Sequence, residues 1–132
     1  MSGSVLDRNA FPGHDAAPNC RQIRGSFAPN GSSAIAAASN RGAQGWWSVA
    51  YVSTGLYRIT LDKGGPSIES VVASLQLATA AARYIQVGAV TASARTIDIR
   101  VIDASGVVQD VAADANNRIN FAVEVRGSST KV

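Results

Sequence analysis

Tyr57-Arg58-Ile59-Thr60-Leu61-Asp62 places Tyr57, Ile59 and Leu61 on one side of an extended chain and Arg58, Thr60 and Asp62 on the other. Successive side chains of a strand point to opposite faces, so this period of two predicts a strand with one buried face. The pattern recurs in Ile97, Ile99 and Val101 around Asp98 and Arg100. It recurs again in Ile119, Phe121, Val123 and Val125 around Asn120, Ala122, Glu124 and Arg126. Gln22–Ala28, Trp46–Val52, Ile68–Leu77 and Arg83–Thr91 are further strand candidates, rich in β-branched or aromatic residues. Turn chemistry separates them at Ser53-Thr54-Gly55, Asp62-Lys63-Gly64-Gly65-Pro66, Asp103-Ala104-Ser105-Gly106 and Asp114-Ala115-Asn116-Asn117. Val72–Ala82 is Ala-rich enough to wind as a helix, but Ala78–Ala82 is read as a loop or a single turn between strands. The expected fold is all-β: a single β-sandwich or jelly-roll-like barrel of seven or eight short strands with an extended N-terminal arm.

Residues 1–21 are polar, aperiodic and broken by Gly3, Pro12, Gly13 and Pro18, which predicts the arm; 22–127 form the β domain and 128–132 a tail. Residues 29–45 are small and polar, a long loop with a short helical turn around Ala34–Ala38. The 132 residues and 13.6 kDa suit one domain. Hydrophobic residues make up 46% but aromatics only 6%, a thin core that favours extra burial between subunits. No run approaches the roughly 20 apolar residues of a membrane helix, and Met1–Arg8 lacks the basic and apolar regions of a secretory leader, so synthesis in a cytoplasm is expected. Twelve Lys and Arg face nine Asp and Glu. The signs are interspersed, and no basic stripe with interleaved aromatics emerges, so neither nucleic acid nor membrane is an expected partner.

Little in the chain is arranged for catalysis. The sole histidine, His14, and the sole cysteine, Cys20, fall in the arm, where no rigid surroundings would align a nucleophile with a base. One cysteine also excludes an internal disulfide and a multi-cysteine zinc site. Glu69, Asp98 and Glu124 lie on polar strand faces, where a solvated carboxylate is the ordinary reading. The Asp103 and Asp114 clusters read as side-chain-capped turns before they read as calcium loops. Asn30-Gly31-Ser32, formally a glycosylation sequon, reads as a turn. No enzyme activity, cofactor or metal is expected. Trp46 and Trp47 form the one aromatic concentration; with Tyr51 they are a candidate glycan-stacking or partner platform, although alternation sends one indole into the core and the other to the surface.

Several phrases resemble a known group: Arg24-Gly25-Ser26-Phe27, Pro29-Asn30-Gly31, Trp47-Ser48-Val49-Ala50-Tyr51, Thr54-Gly55-Leu56-Tyr57-Arg58-Ile59-Thr60-Leu61, Leu75-Gln76-Leu77-Ala78 and Arg83-Tyr84-Ile85-Gln86-Val87-Gly88. Ile99-Arg100-Val101-Ile102-Asp103-Ala104-Ser105-Gly106 and Asn116-Asn117-Arg118-Ile119-Asn120-Phe121 continue the likeness. Over residues 22–127 the chain resembles small virion proteins of tailed bacteriophages, in particular the decoration, or cement, proteins that sit on the head as trimers of β-rich subunits. The resemblance implies a structural protein on the outer surface of the virion, bound to the major capsid protein at junctions of its subunits. By that analogy Val5, Leu6, Arg8, Phe11, Arg21 and Arg24 are expected to contact the capsid. The strand faces around Tyr84 and Phe121 are expected to join the homotrimer. A trimeric receptor-binding or tail-fibre tip domain is the alternative; it would put Trp46, Trp47 and Tyr51 against host glycan, but no stalk repeats accompany it.

Overall fold

A computed structural model describes residues 20–63 and 67–126. Seven strands follow in chain order: β1 (Cys20–Phe27), β2 (Trp47–Ser53), β3 (Leu56–Leu61), β4 (Ser67–Gln76), β5 (Arg83–Thr91), β6 (Thr96–Asp103) and β7 (Arg118–Arg126). They form two antiparallel sheets, ordered β1-β7-β4 and β2-β3-β6-β5, packed together as a sandwich. The sheets are open at their edges, and the barrel closure considered from sequence does not occur among the described residues.

The alternating residues supply the inner faces. Ile23, Phe27, Ile119, Phe121, Val123 and Val125 from one sheet meet Trp47, Tyr57, Ile59, Leu61, Ile97, Ile99 and Val101 from the other, all of them buried. The Trp47 and Phe121 rings meet edge to face at 4.7 Å, and Phe27 reaches Tyr57 at 5.7 Å. Aromatic pairs across the layer thus offset the small number of large side chains. Gly55, at φ +64°, turns β2 into β3 in a conformation that L-residues with a Cβ rarely adopt.

Two readings of the chain's ends shift. Cys20 and Arg21, assigned to the arm, are the first residues of β1, because the β7 ladder continues far enough to pair them with Arg126 and Val125. Val5, Leu6, Arg8, Phe11 and His14, with the tail 128–132, lie outside the described residues. The long loop contains a 3₁₀ turn at Ala37–Ser39, and its Arg41 exchanges two backbone hydrogen bonds with Ser26 of β1. Residues 78–82 are a loop. The segment after β6, for which no element is expected from sequence, lays Val111 into the core, buried, with its amide 3.4 Å from the Tyr57 hydroxyl.

Candidate interaction surface

The three aromatics proposed as a platform go to three different places. Trp47 shares the face of β2 that turns inward; it is 6% exposed, and its indole N–H donates to the Gly42 carbonyl at 2.8 Å. Tyr51 is half-buried, with its hydroxyl donating to Asp110 at 3.0 Å and its ring edge-on to Tyr57 at 5.9 Å. Burial, then the Asp110 carboxylate, holds the Tyr51 phenol above its ordinary pKa. Trp46 meets the surface, half-buried, with the Arg21 guanidinium 5.6 Å and the Lys63 ammonium 5.7 Å from its ring centre. Trp47 is therefore withdrawn from any stacking platform, because packing the inner face of β2 consumes it, and Tyr51 is turned to Asp110 and Tyr57 rather than to Trp46.

The carboxylates weighed for acid–base chemistry do not converge. Asp98 receives both Nε and Nη2 of Arg58 across β3 and β6, at 2.8 and 3.2 Å, which holds that guanidinium above its usual pKa. Glu69 lies 3.6 Å from Arg126, and Glu124 is 3.5 Å from Ser70, both on the other sheet. Asp103 accepts from the amides of Ser105 and Val107 and from the Gln109 side chain. These donors, led by the Val107 amide, hold it below its ordinary pKa. Asp114 accepts from the Asn116 amide at 2.8 Å. Both aspartates thus cap their own turns. Among the described residues no three His, Cys, Asp or Glu side chains gather to hold a metal.

A cavity of about 330 Å³ opens between Leu77, Ala78, Arg83, Val111, Asp114 and Asn117. Its amide is already engaged: Asn117 accepts from the Ala78 amide at 2.8 Å and donates to the Ala112 carbonyl at 3.0 Å. The crease joins two loops, and Thr79, Arg83, Asp110 and Asp114 also line it; Asp110 is engaged by Tyr51 and the Gly55 amide and Asp114 by the Asn116 amide.

The flank formed by β4 and β5 is different in kind. These strands are the outermost members of their sheets on the same side of the sandwich, and a groove of about 270 Å³ between them is lined by Ile68, Val71, Val87 and Val90, with Glu69 and Ser70. Glu69 is the only charged residue of β4, and Arg83 the only one of β5. Val72 is 66% exposed, Tyr84 57% and Val90 43%. A long, weakly charged edge exposes unpaired backbone donors and acceptors, which proteins ordinarily protect with lysines, prolines or a covering element. Of the two residues expected at a subunit contact, Tyr84 stands on this flank and faces outward. The Phe121 ring is 4% exposed inside its own subunit, so the core uses it and it is not available to a partner.

Arg21 and Arg24, expected at the capsid, are both exposed on β1; Arg24 donates through Nε to the Gln22 side chain at 2.7 Å. No family model, curated protein or solved structure matches this chain.

Proposed function

We propose that this chain is a virion structural protein, a capsid decoration or cement protein that binds the outside of a phage head at junctions of the major capsid protein and stabilises it. The observation that carries the reading is the β4/β5 flank: two adjacent free sheet edges with one charge on each strand and a groove between them that exposes Val90, bordered by Val72 on the outer face of one sheet and Tyr84 on the outer face of the other. Such a surface suits cover by other protein, here sister subunits of a homotrimer. The trimer then presents each shell contact three times, and the second and third contacts form at high effective concentration, so weak individual contacts hold the particle. Arg21 and Arg24 on β1 face the capsid in this reading, after synthesis in the host cytoplasm. The resemblance in sequence phrases supports the assignment to a virion, and the rigid sandwich suits a load-bearing role.

Light scattering on the purified chain, followed by cosedimentation with head shells lacking it, tests the proposal. A trimer that pellets with shells and raises their melting temperature is the expected result. A monomer that stays in the supernatant overturns the proposal. A trimer that ignores shells but binds host cells replaces it with the tail-fibre tip reading.

A further inference from the structure

Trp46 immediately precedes β2, at one end of the sandwich, and packs against the rim of the core. Arg21 reaches it from β1 of the opposite sheet and Lys63 from the turn after β3, so two cations carried by separate elements converge on one indole. The arrangement is anchored from below. The Asp62 amide donates to the Trp46 carbonyl at 2.7 Å, and the Arg95 guanidinium donates to the carbonyls of Leu61 and Lys63 at 3.1 and 2.7 Å. The backbone carbonyls of Trp46, Leu61 and Lys63 are thereby held before any partner arrives. Among the described residues Arg21 and Lys63 take part in no ion pair, in contrast to Arg58 and Arg126.

We infer that the Arg21–Trp46–Lys63 cluster is a docking point for carboxylates on an acidic protein surface. Contact with the ring favours one orientation of each cation, which lowers the entropy lost when a carboxylate arrives. Tryptophan and arginine are also the side chains that most often anchor protein interfaces. Phosphate of a nucleic acid fits less well. A polyphosphate chain needs cations along its path, and a strand leaving the cluster passes exposed Asp62 beside Lys63 and Glu124 opposite Gln22 on β7. The inference deepens the shell-binding reading and rests on it for the identity of the acidic surface.

The test uses the full chain and its tryptophan fluorescence. Trp47 is buried and Trp46 meets solvent, so a surface ligand changes chiefly the emission of Trp46. Titration with poly-L-glutamate at low ionic strength is expected to give a saturable change that salt weakens. The double variant Arg21→Gln/Lys63→Gln binds about tenfold more weakly, while Arg58→Gln, which removes a surface cation of β3 that is paired with Asp98 and lies outside the cluster, binds as wild type. The Trp46 variants lack the reporting indole and are followed by calorimetric titration with the same polymer: Trp46→Phe keeps a ring face and retains binding, and Trp46→Ala loses it. No saturable change, or equal loss in Arg58→Gln, overturns the inference, as does tighter and equally cluster-dependent binding of an oligothymidylate of matched charge. Shell cosedimentation separates the two proposals. Wild type pelleting with an unimpaired double variant overturns the cluster and leaves the shell reading standing. Wild type failing to pellet overturns the shell reading, and the glutamate titration still decides the cluster.

Discussion

Gly25 shows how closely the layer is packed at a single atom. A Cβ built there lies 2.6 Å from the Trp47 ring and 2.7 Å from Phe121, distances that no relaxed side chain tolerates. Those two rings are the edge-to-face pair that bridges the sheets, so they cannot withdraw without opening the core. Gly25→Ala is therefore expected to destabilise the fold by about 1–3 kcal/mol, read as a lower urea midpoint at unchanged slope. Arg118 is the complementary case of a polar group drawn inside. It is 5% exposed, yet its guanidinium donates to Ser26 Oγ at 2.8 Å and to the Ser39 carbonyl at 2.6 Å, tying the long loop to β1 and β7. Burial first, and then Arg41, holds its pKa below the usual arginine value.

At the scale of the strand, coverage decides both stability and legibility. β3, β6 and β7 are flanked on both sides, and their alternation is clean because every second residue enters one shared core. That is why Tyr57, Ile97 and Ile119 could be placed from sequence. β4 and β5 carry a weaker signal for a physical reason: as edge strands they bury their apolar face only in part, and register shifts between Ile68 and Ser70 and between Val87 and Val90 interrupt the period of two. The Tyr51–Asp110 bond joins residues 59 apart in sequence, and no local pattern announces it. The fate of Trp47, by contrast, was implicit in its parity with the half-buried Val49 and Tyr51. The same edges yield a prediction. Val72→Lys adds a charge on the outer face of the edge strand β4, and lysine on an edge strand discourages edge-to-edge pairing. The residue is 66% exposed, so stability stays within about 0.5 kcal/mol of wild type while the self-association proposed above is lost. Light scattering across a concentration series, with urea unfolding of both forms, checks the two halves of that expectation separately.

Across the whole molecule one side chain joins three parts of the structure. The Tyr57 ring sits in β3 with Phe27 of the opposite sheet at 5.7 Å and Tyr51 of the neighbouring strand at 5.9 Å, and its hydroxyl oxygen accepts from the Val111 amide of the segment between β6 and β7. The ring is fully buried, and desolvation pushes the phenol up to about 12 from its ordinary 10.0. The folded protein therefore binds this proton more tightly than the unfolded chain does. Its contribution to stability is complete below pH 10 and is lost as the pH rises through 12, on the order of 1–3 kcal/mol. Ionisation would place a charge between the two sheets and against the connecting segment together, so the loss cannot stay local. Alkaline unfolding of wild type is accordingly expected to follow one cooperative transition in which the ionisation of Tyr57, the part of the phenolate absorbance that Tyr57→Phe removes, and far-UV circular dichroism change together. Tyr57→Phe removes the titrating group while keeping the ring: it flattens stability against pH over that interval, at the cost of the Val111 hydrogen bond at neutral pH. A Tyr57→Phe protein as alkali-sensitive as wild type between those two pH values would show that another group sets the limit.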